Sequence, residues 1–176
     1  SVYGDNHLCE EDDLLAPKGM HGCLKLANEK LIKFFCQEMN IDYSIARIFN
    51  MYGGNDKFSV VNKIITSLLQ NKTFNLINNG NSIRDYIHID DVVCAYKKLL
   101  DSKNMPIINI STGRGVSVSS LFTYLAKQDI KVKHKKIDAD EISLSIGDNT
   151  QLIKMIGEYN FMKVEDYITL KLNLIQ

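Results

Sequence analysis

The sequence predicts an α/β fold, in which strands and helices alternate along the chain. Segments with the apolar spacing of an amphipathic helix are separated by short apolar or alternating segments of strand length. The chain of 176 residues is 45% hydrophobic, which is enough to bury one sizeable core. We therefore expect a single domain whose strands and helices share that core.

The first half of the chain is predicted to contain two long helices before its central strand. The helix at Lys18–Met39 has apolar residues at helical spacing, and the helix at Phe58–Gln70 has a broad apolar face. A short buried strand is expected between them at Tyr43–Arg47. An Asn-Gly turn at 78–81 then leads into a strand at Ile83–Ile89. Asp90 is expected to cap the helix that follows and continues to about residue 100.

The second half of the chain continues the alternation. A strand is predicted at Met105–Ile110, a helix capped by Ser117 runs to about residue 127, and a strand follows at Ile130–Ile137. Two helices, from about Asp148 and about Val164, close the chain.

The composition excludes several classes of function. The 21 Lys and Arg residues balance the 21 Asp and Glu residues, so the sequence does not favour nucleic acid or an anionic membrane as partner. It contains no apolar run of about 18 residues and no signal-peptide pattern. The four cysteines are scattered, and no His or Cys cluster has metal-ligand spacing, so we expect no metal and a reducing, cytoplasmic location.

The segment Gly113-Arg114-Gly115 is the one candidate for a dinucleotide-binding glycine loop. It follows a predicted strand and precedes a predicted helix, but Val118 stands where the third glycine would be. We interpret it as a turn whose glycines meet backbone requirements.

Four segments, in this order, resemble the NAD-dependent epimerase/dehydratase family, the extended short-chain dehydrogenases that act on nucleotide sugars. They are Val2-Tyr3-Gly4, His21-Gly22-Cys23-Leu24-Lys25, Arg47-Ile48-Phe49-Asn50-Met51-Tyr52-Gly53-Gly54 and Arg84-Asp85-Tyr86-Ile87-His88-Ile89-Asp90-Asp91. The resemblance covers nearly the whole chain but only the C-terminal half of the family. It implies that residues 1–176 supply the last strands of a doubly wound Rossmann-type sheet, the long catalytic helix and a small α/β substrate-binding lobe. The cofactor loop is expected upstream of Ser1.

The resemblance implies NAD or NADP as cofactor and a catalytic pair at His21 and Lys25. The family has Tyr-x-x-x-Lys here; the lysine holds the nicotinamide ribose, and the tyrosine carries a proton to and from the sugar hydroxyl. Lys25 matches the lysine, whereas His21 replaces the tyrosine. An imidazole can act as a base near neutral pH. The alternative is that His21 is a helix residue with no role in proton transfer.

The resemblance also assigns Asn50 and Arg84 to the nucleotide diphosphate of the substrate. A planar guanidinium with five donors suits phosphate oxygens, although Arg84 could instead be a solvated charge at a strand edge. Among the other polar residues, Arg47 is expected to close a strand and His88 to be a satisfied packing residue. Asp90 and Asp91 are expected to cap a helix.

Two functions remain open at this point. The first is a nucleotide-sugar epimerase or dehydratase that oxidises a sugar hydroxyl transiently with NAD, and we expect this chain alone to be inactive. The second is a relative without hydride chemistry that still binds a nucleoside diphosphate-sugar. In either case a homodimer through the Lys18–Met39 helix is a possible assembly.

Overall fold

The computed structural model describes residues 2–102 and 105–174 and confirms the α/β organisation. Its helices are α1 Gly19–Glu38, α2 Val60–Leu69, α3 Ile89–Leu100, α4 Val118–Ala126, α5 Thr150–Ile156 and α6 Val164–Asn173. Its strands are β1 Asn6–Cys9, β2 Ile45–Ile48, β3 Asn50–Tyr52, β4 Phe74–Ile77, β5 Ile83–His88, β6 Ile107–Ile110, β7 Gly115–Ser117, β8 His134–Ile137 and β9 Leu144–Gly147.

The strands pair mainly in parallel. The largest sheet has the order β1-β9-β5-β3, with β7 antiparallel to β5, and two further parallel pairs are formed by β2 with β6 and β4 with β8. Phe49 is the point at which the chain changes partners, because its N–H donates to the carbonyl of Ile110 at 3.0 Å before β3 joins β5. This change places Asn50 opposite Tyr86.

Besides a small apolar cluster of Val2, Tyr3 and Cys9, against which Leu26 of α1 packs, two larger apolar cores flank the sheet. The larger one lies in the lobe built on α2, α4 and α6, and it buries Tyr52, Val61, Ile64, Ile65, Phe74, Leu76, Tyr86, Val116, Leu121, Leu125, Val164, Tyr167, Ile168 and Leu172. The second lies between β5, β6, α3 and α5 and buries Ile87, Val92, Ala95, Leu99, Ile108, Ile110 and Leu152. Both faces of β5 are therefore covered, as expected for a parallel sheet.

The long helices agree with the sequence prediction to within two residues, whereas several strands differ. Helix α4 begins after Ser117, whose side chain accepts from the N–H of Ser120 in a capping box, as predicted. The strand expected at Tyr43–Arg47 lies at Ile45–Ile48. The strand expected at Ile130–Ile137 is limited to His134–Ile137, because Ile130 packs against the core of the lobe from a non-strand segment.

The prediction that Asp90 and Asp91 cap α3 is wrong. The N-cap residue is His88, whose Nδ1 accepts from the N–H of Asp90 at 3.3 Å. Both aspartates lie in the first turn, where their negative charges interact favourably with the positive N-terminal end of the helix dipole. Asp91 is buried and accepts from Tyr159 Oη at 2.9 Å and from the N–H of Met162 at 3.0 Å, so it ties α3 to the segment before α6.

His88 is a packing residue, as predicted, but it is not fully satisfied. Its ring packs in a cluster of three with those of Tyr52 and Tyr167, at centroid distances of 5.3 and 4.9 Å, and the two tyrosine rings are 5.2 Å apart. Gly53 lies against it so closely that a Cβ there would come within 2.4 Å of His88 Nε2. Within the described residues, this buried Nε2 has no hydrogen-bond partner.

Candidate functional site

Helix α1 is fixed to the sheet by a buried ion pair. Arg47 on β2 donates from Nε and Nη2 to the two carboxylate oxygens of Glu29, at 3.0 and 2.8 Å. Its Nη1 donates to Tyr3 Oη at 2.8 Å and to the carbonyl of Glu11 at 2.9 Å. Burial raises the pKa of Tyr3 to about 12, so this phenol is neutral near pH 7. The structural role predicted for Arg47 is confirmed.

The face of α1 that carries Glu29 also carries His21 and Lys25, because residues four apart lie on the same face of a helix. His21 and Lys25 are exposed at a cavity of about 420 Å³, and Asn50 and Arg84 line the same cavity. The structure thus brings together all four residues that the sequence analysis singled out.

Asn50 and Arg84 also line a second cavity, of about 640 Å³. It is formed where α2 and β4 face β5, and its lining includes Phe58, Lys63, Ser82 and Glu141. Asn50 and Arg84 therefore lie at the boundary of both cavities.

The parallel pairing of β3 with β5 brings Asn50 and Arg84 to this boundary. Asn50 Nδ2 donates to the carbonyl of Asp85 at 3.1 Å, which fixes the orientation of the amide. Arg84 Nη1 donates to the carbonyl of Ile83 at 3.0 Å, and Nη2 donates to Glu141 Oε2 at 3.2 Å. The side chain of Arg84 is only 16% exposed. Its guanidinium is therefore held in place by hydrogen bonds and is not a freely solvated charge at the strand edge.

The turn at Gly113 has a structural role, as predicted. The buried Asp85 carboxylate accepts from the N–H of Thr112 and of Gly113, both at 2.9 Å, so these groups are not available to a phosphate. Burial raises the pKa of Asp85. Gly113 has a φ of +74°, whereas Gly115 is needed for space, because a Cβ there would lie 2.6 Å from Ile83 Cγ2. Gly113 is therefore required by its positive φ, whereas Gly115 is required because a side chain would not fit there.

The sequence analysis assigned no role to three groups of the site. Tyr3 lies in a recognised segment, but its part in the buried network follows only from the fold: its hydroxyl accepts from Arg47 Nη1 and donates to Asn109 Oδ1 at 2.6 Å. Lys63 was recognised as part of an amphipathic helix but not as a cation at a cavity. Glu141 lies 57 residues from its partner Arg84, in a segment with no motif.

The part of the chain that the structure describes has neither a membrane-spanning helix nor a metal-binding cluster. None of its helices is both long and apolar enough to cross a membrane. In residues 2–102 and 105–174, no three His, Cys, Asp or Glu side chains are grouped so that they could hold a metal ion.

Comparison with known sequences gives a consistent set of relatives. Residues 1–111 match the NAD dependent epimerase/dehydratase family. A protein of Methanocaldococcus jannaschii proposed to be a UDP-glucose 4-epimerase is 33% identical over an alignment of 128 residues, which covers 69% of this chain and 42% of that protein. The dTDP-4-dehydro-6-deoxyglucose reductase of Escherichia coli is 31% identical over an alignment of 128 residues, which covers 69% of this chain and 40% of that protein. The chain spans about two fifths of the length of these curated relatives.

Solved structures share the fold. The UDP-glucose 4-epimerase of Thermotoga maritima, solved with UDP-glucose, has a TM-score of 0.86 at 26% identity, over 99% of this chain and 60% of that chain. The UDP-glucuronic acid 4-epimerase of Bacillus cereus, solved with UDP-glucuronic acid and NAD, has a TM-score of 0.90 at 22% identity, over 99% of this chain and 58% of that chain. These similarities confirm the predicted Rossmann-type α/β fold.

Proposed function

The chain belongs to the NAD-dependent epimerase/dehydratase family, and from this premise we propose that it binds a nucleoside diphosphate-sugar across the two cavities that meet at Asn50 and Arg84. We further propose that the protein containing it epimerises or dehydrates the sugar through transient oxidation of a hydroxyl by NAD. One observation carries the proposal: the boundary between the two cavities is formed by an arginine and an asparagine.

The shape of the site suits a ligand with three parts. The larger cavity, of about 640 Å³, has the size and the partly apolar lining that a nucleoside needs. The diphosphate would lie at the boundary, where Arg84 offers a planar fork of donors and Asn50 an oriented amide. The sugar would then occupy the smaller cavity beside His21 and Lys25.

The residues of the smaller cavity fit the cofactor that the family uses. Bound NAD would supply the hydride acceptor for the sugar hydroxyl. Lys25, whose ammonium is exposed at the cavity, would hold the hydroxyls of the nicotinamide ribose. His21, one helical turn away on the same face, would exchange the proton of the sugar hydroxyl. The Gly113 turn would not contribute, because its N–H groups are bonded to Asp85.

A second candidate function is favoured by His21, which replaces the tyrosine of the family pattern. In this alternative the protein binds the nucleoside diphosphate-sugar without hydride chemistry. The two are separated by assaying the full-length protein and its His21→Ala and His21→Tyr variants for sugar-nucleotide conversion. A general acid–base typically contributes about 10²- to 10⁴-fold in rate, so if His21 exchanges the proton, the parent should be active and His21→Ala should lose a factor of that order. A gain of that order in His21→Tyr would show that the histidine does not carry the proton, and absence of turnover in all three proteins favours the binding function.

Two further features belong to the proposal. Residues 1–176 correspond to the C-terminal half of a longer family member. In this part of the chain, segments that form α1 and the last strands of the Rossmann-type sheet alternate with segments that form the substrate-binding lobe. Two copies associate through α1, because this helix exposes the large apolar side chains of Leu31, Phe34 and Phe35.

The proposal is tested by titrating UDP and dTDP against the parent chain, Arg84→Lys and Arg84→Ala. Charge-assisted hydrogen bonds contribute about 1.5 to 3 kcal/mol each, so Arg84→Ala should weaken binding by roughly 10- to 100-fold. Arg84→Lys keeps the charge but loses the planar fork, and it should have an intermediate affinity. Melting curves of all three proteins accompany the titrations.

The matched control is Arg114→Ala. Arg114 lies outside both cavities and pairs with Glu165. This variant should keep the parent affinity. Equal affinities across the Arg84 series, or a loss that parallels the melting temperature, would contradict the assignment of the diphosphate to Arg84.

A further inference from the structure

Arg84 already has an anionic partner in the structure. Its Nη2 donates to Glu141 Oε2 at 3.2 Å and also to the carbonyl of Ile142, while Nη1 donates to its own neighbour Ile83. Three donations thus go to protein oxygens, out of the five that a guanidinium can make. A diphosphate that takes the full fork of Arg84 must therefore replace some of these partners.

Glu141 is held in place by groups other than Arg84. Its Oε1 accepts from Ser82 Oγ at 2.6 Å and from Asn78 Nδ2 at 3.3 Å. Asn78 also bonds the backbone of Ala139 in both directions, at 2.7 and 3.1 Å. The segment 138–142, between β8 and β9, is consequently fixed against the turn before β5, and the position of the Glu141 carboxylate does not depend on a ligand.

The charges around the larger cavity are few. Its lining contains two cations, Lys63 and Arg84, and one anion, Glu141. The side chains of Arg84 and Glu141 are 16% and 26% exposed, so their charges are only partly screened by water. A phosphate that approaches Arg84 also approaches Glu141 and is repelled by it.

We propose that Glu141 is an internal counter-ion of Arg84 that a phosphate-bearing ligand must replace at the guanidinium. The charge of Glu141 thereby weakens the binding of a ligand more strongly the more negative charge that ligand carries. This inference rests on the proposed function, because it concerns the same nucleotide site. It makes Glu141 a specificity-determining residue whose effect grows with the charge of the ligand.

The test uses calorimetric titration of the chain with uridine, UMP and UDP, which share a nucleoside and differ in phosphate charge. Glu141→Gln removes the charge and keeps one oxygen that can still accept from Ser82, while an amide nitrogen replaces the oxygen that accepts from Arg84. Because partly exposed ion pairs are weak, we expect this variant to bind UDP roughly 2- to 10-fold more tightly than the parent. UMP should gain less, and uridine should be unchanged.

The matched control is Asp140→Asn, which makes the same change in net charge one residue away. Asp140 is exposed and does not line either cavity. Its effect on UDP affinity should be smaller than that of Glu141→Gln, because a solvent-exposed charge is screened. An equal gain in the two variants would mean that net charge alone is responsible, and it would overturn the inference.

Other outcomes separate this inference from the proposed function. If the parent binds UDP and Glu141→Gln binds it no better, the counter-ion role is wrong and the nucleotide site stands. If Glu141→Gln weakens uridine, UMP and UDP alike, Glu141 accepts a hydrogen bond from the nucleoside and does not oppose the ligand. If neither protein binds UDP, the nucleotide site itself is wrong, and the inference falls with it.

Discussion

Helices α1 and α2 both carry many apolar side chains, but they bury them differently. Helix α2 directs Val61, Ile64 and Ile65 into the core of the lobe. Helix α1 is twice as long, and yet the only buried residues among its 20 are Gly22 and Glu29. Its phenylalanines, Phe34 and Phe35, are 65% and 58% exposed.

The difference shows that two kinds of interaction hold the site together. The walls of the larger cavity are fixed by apolar packing around α2. The position of His21 and Lys25 depends instead on the pairing of Glu29 with Arg47. This pairing fixes the rotation of α1 about its axis and its position along that axis. A polar contact can thus set the geometry of a helix that has little apolar contact with its own chain.

The largest expected effect comes from breaking that ion pair. Arg47→Met leaves Glu29 buried without a partner, and loss of one member of a buried pair typically costs about 3 to 5 kcal/mol. We expect a loss of that size in the free energy of unfolding, measured in urea. Amide hydrogen exchange should show loss of protection in α1 before the lobe is affected.

Two variants sharpen this result. The double change Arg47→Met with Glu29→Leu should recover much of the stability, because no buried charge remains unpaired. Arg114→Met breaks the more exposed pair with Glu165 and should cost no more than about 1 kcal/mol. A loss as small as this for Arg47→Met, with α1 still protected, would show that the helix is held in some other way.

The complementary change is Leu121→Ala in the lobe. Leu121 is fully buried in the core of α2, α4 and α6, and such truncations cost about 2 to 5 kcal/mol. Exchange should increase in α2 and α4 while α1 keeps its protection. The control is Leu170→Ala on the exposed face of α6, which should change stability by less than about 0.5 kcal/mol. Equal loosening of α1 and the lobe would remove the distinction between them.

The smallest effect on stability is expected from the exposed face of α1. Leu31 and Phe35 lie one turn apart, and replacing both with Gln should change the free energy of unfolding by no more than about 0.5 kcal/mol. If two copies associate through this face, sedimentation should show a dimer for the parent and a monomer for the variant. Leu100→Gln, at the exposed end of α3, should leave the dimer intact. A monomeric parent would contradict the proposed assembly.

The parts of the fold that the sequence predicts are those with a local cause. Helices α1, α2 and α4 follow from apolar periodicity, and the start of α4 follows from the hydroxyl of Ser117. Strands β3 and β7 have only three residues each, and both exist because β5 lies beside them. No local pattern in the sequence could indicate that pairing.

The site shows the same division. Asn50 and Arg84 were found because each lies in a recognisable motif, and the structure places them at one boundary. The partner of Arg84, Glu141, comes from a distant segment and could be found only once the fold was known. The cap of α3 was missed because aspartates are the usual cap residues, whereas here an imidazole nitrogen takes that role.

The central claim is that the two cavities form one ligand site, and amide chemical shifts measured during titration with UDP and then UDP-glucose test it most directly. UDP should shift signals around the larger cavity, including Lys63 and Ser82, together with Arg84. UDP-glucose should shift the same signals and, in addition, those of Lys25 and its neighbours at the smaller cavity. Shifts confined to one cavity with both ligands, or no saturable shifts at Arg84, would contradict the account.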